Sequence, residues 1–241
     1  MPEGAVLVVG AGDAIGSAIA RRFARAGYTV CAARRNADKL EPLVAELEAE
    51  DCSIRAFALD ARKEEAVAEL VQRIESDVGE LAAVIFNVGA NVPMGILETD
   101  SRKFFKIWEM ACFAGFLTGR EAARVMVPRA RGTIIFTGAT ASLRGAAGFA
   151  AFASAKHGLR AMAQSMAREL GPKNIHVAHV VIDAAVDTNW INENFPDAAA
   201  LKAQDGIVNP DDLARNYLVL HEQPRNAWTF ELDLRPWIET W

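Results

Sequence analysis

The residues best suited to chemistry begin early in the chain, in Val9-Gly10-Ala11-Gly12-Asp13-Ala14-Ile15-Gly16. Gly10, Gly12 and Gly16 lie between an apolar run and an amphipathic one, where a tight turn lets backbone N–H groups approach a pyrophosphate at a helix start. A glycine cluster also serves as a purely structural turn, but its place at the first such junction points to a nucleotide. Asp13 opposes that reading, since a carboxylate repels a phosphate, and its expected role is to cap the following helix. The next apolar run ends in Ala33-Arg34-Arg35. An acidic residue there would accept from ribose hydroxyls, whereas a basic one pairs with an additional phosphate. Arg34 and Arg35 therefore favour NADP(H) over NAD(H), the alternative being two solvated surface charges. Leu59-Asp60-Ala61 closes a third run, where Asp60 either accepts from an adenine amino group or caps a helix. His176 and His179 show no metal-ligand spacing with Cys or acidic partners, and no metal site is expected.

These residues need a scaffold that brings distant strand ends together. Apolar runs alternate with amphipathic stretches: Ala5 to Val9 then Ala14 to Ala26, Thr29 to Ala33 then Ala37 to Glu50, and Ser53 to Leu59 then Lys63 to Asp77. The alternation continues with Ala82 to Phe86, a helix within Ser101 to Pro128, Thr133 to Thr137, a helix around Phe149 to Leu170, and His176 to Ile182. Strands separated by helices form a parallel sheet covered on both faces, which accounts for the continuously apolar runs Val6 to Val9 and Ala82 to Phe86. Asp183 to Asn209 breaks the rhythm and reads as a loop with short helices, a lid candidate as opposed to a surface excursion. A helix over Pro210 to His221 and a strand over Ala227 to Leu232 follow. In the tail, Trp237 and Trp241 suit either a subunit contact or ordinary core packing.

With 241 residues, 51% of them hydrophobic, the chain can bury one substantial core, and residues 1–241 are expected to form a single α/β domain. A net charge of -5, with 26 basic and 31 acidic residues and no basic block, argues against nucleic acid and anionic membrane as partners. Cys31, Cys52 and Cys112 are odd in number, widely spaced and in apolar contexts, so buried thiols in a reducing cytoplasm are expected. No apolar run reaches the roughly 18 residues of a membrane span, and no signal peptide pattern is present.

Together these residues resemble the short-chain dehydrogenase/reductase family from Gly4 to about Leu234. The glycine turn stands for the family's Thr-Gly-x-x-x-Gly-x-Gly, with Val9 for the threonine and Ala14 for the middle glycine. Asn87-Val88-Gly89-Ala90 stands for Asn-Asn-Ala-Gly, and Phe152-Ala153-Ser154-Ala155-Lys156 for Tyr-x-x-x-Lys. Val186-Asp187-Thr188 follows Asp183 and Ala184, where the family has Pro-Gly-x-x-x-Thr. The resemblance implies a Rossmann-type doubly wound sheet and cofactor contacts from Gly10, Gly12, Ile15, Gly16, Arg34, Arg35, Asp60, Asn87, Gly89, Lys156, Val186 and Thr188. It also implies a substrate cleft under Asp183 to Asn209, and a homodimer or homotetramer through two long central helices.

The family's tyrosine protonates the substrate carbonyl, its lysine lowers the tyrosine pKa and holds the nicotinamide ribose, its serine orients the carbonyl, and its asparagine supports a relay water. Only Lys156 is retained. Phe152 takes the tyrosine position, Ala139, thirteen before Phe152, the serine position, and Ala111 the asparagine position. Tyr28 and Tyr217, the two tyrosines, fall in the second strand and the last helix. A positioned general acid contributes about 10² to 10⁴ in rate, so loss of the phenol weakens activity without removing what proximity supplies. Substitutes to weigh are Thr137, Thr140, Ser142, Asp187 and above all Asp183, which is either a partner of Lys156 on a bound water or a turn cap. His157 points about 100° away from Lys156 on a helix and is expected to be a surface or packing residue. Phe149, Phe152, Trp190 and Phe195 either line an apolar cleft or belong to the core. Two functions follow: a divergent NADP(H)-dependent oxidoreductase acting on a small carbonyl or activated alkene, or a non-catalytic NADP(H)-binding sensor or partner subunit.

Overall fold

A computed structural model describes residues 4–240; Trp241, one of the two tail tryptophans, lies outside them. Among the described residues the elements run β1 (Ala5–Val9), α1 (Ile15–Arg25), β2 (Thr29–Arg34), α2 (Glu41–Ala49), β3 (Ile54–Ala58), α3 (Glu64–Asp77), β4 (Leu81–Phe86), α4 (Ser101–Trp108), α5 (Ala114–Met126) and β5 (Thr133–Thr137). They continue with α6 (Ala150–Leu170), β6 (His176–Ile182), α7 (Asn189–Asn194), α8 (Ala198–Lys202), α9 (Pro210–Glu222) and β7 (Glu231–Leu234). The seven strands form one sheet in the order β3-β2-β1-β4-β5-β6-β7, and every pairing is parallel. This is the expected Rossmann-type, doubly wound arrangement. The chain order reverses between β1 and β4, which opens a crevice above their C-terminal ends.

Alternate residues of each strand feed two core layers. Leu7, Val9, Val84 and Phe136 pack with Val67 and Val71 of α3, Leu117 of α5 and Leu159 of α6. Val6, Val8, Val30 and Ala32 pack on the other face with Ile19 and Phe23 of α1, Leu43 and Leu47 of α2, and Leu213 and Tyr217 of α9. Burial of both faces explains why β1 has no polar position.

Three details depart from the sequence expectation. The helix expected within Ser101 to Pro128 is two helices joined by a π turn over Glu109–Phe113. The additional residue of that turn lets Phe105, Trp108, Phe113 and Phe116 stack in series with ring centroids 6.2, 6.2 and 6.0 Å apart, although Trp108 and Phe113 are five positions apart. The last strand begins at Glu231 rather than Ala227. Gln223 is the cause: its side-chain oxygen accepts from the Thr229 N–H at 2.7 Å and its carbonyl from the Trp228 indole at 3.2 Å, which holds that segment off the sheet. Finally, Cys52 is only half-buried, whereas Cys31 and Cys112 are buried as expected. Burial pushes the Cys31 thiol up to about 12 and raises that of Cys112, so neither is a thiolate at neutral pH.

No helix among the described residues is long and apolar enough to cross a membrane, and no group of His, Cys, Asp or Glu among them could hold a metal. Tyr217 is fully buried beneath the sheet, and its hydroxyl lies 2.8 Å from Thr137 Oγ1 at the end of β5. Tyr217→Phe leaves that buried hydroxyl without its partner, and the folding free energy, read by denaturant unfolding, should fall by about 1–2 kcal/mol.

Candidate active site

The C-terminal ends of β1 and β4 come together because two glycines permit it. Gly10 has φ +86, and a Cβ there would lie 2.7 Å from the Asn87 carbonyl oxygen. A Cβ on Gly16 would overlap the Gly10 carbonyl. The Asn87 N–H donates to Val9 O at 2.8 Å and its Nδ2 to Gly10 O at 3.1 Å, which ties the two strand ends. Gly12 and Gly89 differ in kind. A Cβ on Gly12 would meet only one atom, at the 4.0 Å limit, and one on Gly89 would meet none. Their missing side chains leave open the space above the strand ends.

That space is two adjoining clefts. The outer, about 540 Å³, is lined by Arg34, Arg35 and Asp60; the inner, about 400 Å³, by Ile15, Gly16, Val186, Thr188 and Lys156; and both by Gly10, Gly12, Asn87 and Gly89. Every residue expected to contact a cofactor therefore borders one continuous surface. An open glycine floor at the start of α1, with cations at one end and a lysine at the other, fits an elongated nucleotide carrying a pyrophosphate.

Several side chains have partners that the sequence reading did not assign. Asp13 does not cap α1, which starts after Ala14 without a side-chain cap. Its carboxylate instead pairs with Arg34 at 2.7 Å. Asp60 is not a helix cap either, since α3 follows Lys63. Its Oδ1 accepts from the Arg62 N–H at 3.2 Å, and both carboxylate oxygens take the Arg62 guanidinium at 2.8 and 2.6 Å. The Arg62 guanidinium holds the Asp60 carboxyl down to about 2. Arg62 also faces Glu109 at the start of the π turn, 3.6 Å away. Asn36, Lys39 and Arg62 line the outer cleft and were missed. The spacing Asp60-x-Arg62 and the second basic position after β2 were the available signals.

At the inner end, Phe152 and Lys156 lie one turn apart on α6 and both face the cleft. Lys156 is 3% exposed, and its ammonium donates to Thr137 O at 2.8 Å and Val88 O at 3.2 Å. Burial lowers its pKa to about 8. Phe152 and Ala139 share an apolar cluster with Met94, Met110 and Phe149, and Ala111 is wholly buried in the π turn. Trp190 and Phe195 do not join that cluster; they meet each other edge to face at 5.9 Å and remain largely exposed. His157 is exposed, as expected.

The other polar side chains near Lys156 are engaged elsewhere. Thr137 Oγ1 meets Tyr217, and Thr140 Oγ1 donates to Asp183 at 2.6 Å. Ser142 Oγ accepts from the Ala139 N–H at 3.1 Å and is buried. Asp183, 1% exposed, is neither a turn cap nor a partner of Lys156. Arg144 grips its carboxylate at 2.9 and 3.1 Å, and Arg235 stands 3.6 Å away. Asp187 is bound to Asn192 and Lys202 within the loop. Thr188 caps α7 through Oγ1, which accepts from the Ile191 N–H at 3.1 Å. Trp237 is 77% exposed, with its indole N–H on Gln204 O at 2.9 Å, so it is not a core residue.

The short chain dehydrogenase family model matches residues 4–199, and the chain belongs to that family of oxidoreductases. A crystal structure of a short-chain dehydrogenase from Rhodopseudomonas palustris is 52% identical, covers 98% of this chain and 100% of that one, and superposes with a TM-score of 0.84. The 2-dehydro-3-deoxy-D-gluconate 5-dehydrogenase of Formosa agariphila is 29% identical over 172 residues, which is 71% of this chain and 65% of the relative, so this chain spans under two thirds of that protein's length. A metagenomic short-chain oxidoreductase in complex with NADP, 23% identical with 98% of each chain covered and a TM-score of 0.83, shares the fold.

Asp183→Ala would remove the buried carboxylate that Thr140, Arg144 and Arg235 share, while Arg144 keeps Glu239 and Arg235 keeps Asp233. Urea unfolding should show a loss of about 1–3 kcal/mol.

Proposed function

We propose that this chain is an NADP(H)-dependent oxidoreductase that acts on a small carbonyl or activated alkene, with Lys156 as the one retained proton-bearing group of the family's set. The observation that carries this reading is the continuous cleft from Arg35 past Gly12 and Gly89 to Lys156. The basic residues Arg34, Arg35 and Lys39 at its outer end, with no acidic residue among the last positions of β2 in the sequence, support NADP(H) over NAD(H). The NADP complex of the metagenomic relative supports it only as a precedent on the same fold.

A bound nicotinamide nucleotide supplies or accepts the hydride. The chain's own contribution is position and one proton. Two of the three ammonium donors of Lys156 are held by Thr137 O and Val88 O, which leaves a third for the cleft. Phe152 and its neighbours form an apolar wall at that end, and Phe152 offers no proton of its own. Reduction of a carbonyl adds hydride to carbon and a proton to oxygen. In this scheme the proton leaves Lys156 Nζ, directly or through a water, and is replaced from solvent. The loop over residues 183–209, tied at its base by the parallel bridge of Val186 to Val208, serves as the lid. A homodimer or homotetramer through α4 and α5 together with α6 accords with the exposed rings of Phe105 on α4 and Phe116 on α5.

One observation favours the second reading, a non-catalytic NADP(H)-binding subunit or sensor: Thr137, Thr140, Ser142 and Asp183 are all engaged away from the cleft. Calorimetric titration with NADPH and NADH, followed by turnover with a panel of aldehydes, ketones and enones, separates the two. Tight NADPH binding with no turnover on any of them selects the subunit or sensor.

Under the enzyme reading, Lys156→Ala abolishes turnover, and unchanged turnover would sink it. Phe152→Tyr with Ala139→Ser should increase carbonyl reduction by about 10² or more. The ammonium form of Lys156 is populated below its pKa of about 8, so the reductive rate of the wild type should be level below that pH and fall as pH rises through it. A rate that holds level to pH 10 would assign the proton to another source.

A further inference from the structure

The outer end of the cleft presents three cations in unequal states. Arg34, the last residue of β2, is 20% exposed at its side chain and is paired with Asp13, whose own side chain is 81% exposed. The geometry of this pair is set by backbone. The Gly10 and Ala11 N–H groups both donate to the carbonyl oxygen of Ala33, at 2.9 and 3.1 Å, which fixes the glycine turn against the end of β2. Asp13, which caps nothing, projects from that turn across to Arg34 at 2.7 Å. Arg35 and Lys39 are exposed and make no ion pair among the described residues. Arg35 acts on Asp60 only through its field.

A partly buried guanidinium has few directions from which to take a carboxylate or a phosphate. Asp13 already holds one of them from the cleft's mouth, and it also lines the inner cleft. A phosphate on the adenosine ribose and the Asp13 carboxylate are therefore competitors for Arg34. A phosphate bound beside an undisplaced Asp13 meets a like charge, which disfavours it. A ribose with a free hydroxyl has no such conflict and leaves the pair intact.

We propose that Asp13 determines cofactor selectivity by occupying Arg34 as an internal stand-in for the ribose phosphate, which leaves Arg35 and Lys39 to recognise that phosphate and lets the chain accept both nucleotides. This rests on the cleft being a nicotinamide nucleotide site. Asp13 acts through Arg34 and is a positioning residue. Removing its charge frees Arg34 for a phosphate and brings nothing comparable to a hydroxyl.

Isothermal titration of the full chain tests this with NADPH, NADH and the fragments adenosine 2′-phosphate and adenosine 5′-phosphate. Asp13→Asn should raise the affinity ratio of NADPH to NADH, and of adenosine 2′-phosphate to adenosine 5′-phosphate, about tenfold, equivalent to about 1.4 kcal/mol, any relief of the shared pyrophosphate being common to both nucleotides. In an Arg34→Gln background the same Asp13→Asn change should have no effect on the ratio of the two nucleotide affinities. An unchanged ratio in Asp13→Asn, or equal tightening of all four ligands, overturns the proposal and leaves the nucleotide site standing. Failure of the wild type and Asp13→Asn to bind any of the four overturns both. Asp13 is exposed, so the variant should melt with the wild type. Asp13→Ser serves as the second variant and should reproduce the shift in ratio.

Discussion

Where β1 and β4 end, their backbones stand closer than any side chain would allow, and the clefts above the sheet depend on that approach. Gly10 rests against the Asn87 carbonyl and Gly16 against Gly10. With a Cβ at either position the turn would have to lift, α1 would tilt with it, and the surface between Arg34 and Lys156 would divide. Asn87 reinforces the approach from the other strand through its main-chain and side-chain donors. The glycine turn is therefore first a packing device between two strands; the opening toward a phosphate follows from it, because the same turn leaves Gly12 uncovered.

The inner end follows a different logic. Lys156 is buried and its ammonium is held by two strand-end carbonyls, which fixes its position whether or not a phenol stands beside it. Phe152, Ala139 and Ala111 beside it contribute only apolar surface, and the lysine is held without them. The position of Lys156 is thus set by the ends of β4 and β5 and not by the side chains beside it.

Much of this was legible from the residues alone. Continuous apolar runs located the strands, because burial on both faces removes alternation, and glycine spacing located the turn. The roles of Asp13, Asp60 and Asp183 were not legible. Each looked like a cap, since a short acidic residue at the end of an apolar run has that local preference. In each case a guanidinium took the carboxylate instead, and for Asp13 and Asp183 it comes from a distant element, Arg34 in one and Arg144 and Arg235 in the other. Periodicity carries no record of such pairs. The π turn was hidden for a related reason: hydropathy runs through it uninterrupted, and only the spacing of Trp108 and Phe113 betrays the additional residue.

Asp183 has a consequence for the order in which the molecule completes itself. Its carboxylate lies at the end of β6, while Arg235 follows β7, with all of α9 between them. The part of the chain up to β6 supplies this acid with Thr140 and Arg144 alone. The floor beside the inner cleft becomes electrically complete only when the edge strand β7 has docked and brought Arg235 and, through Arg144, Glu239 into place. The edge strand β7 thus acts as the latch on a site whose other parts all precede it in the sequence.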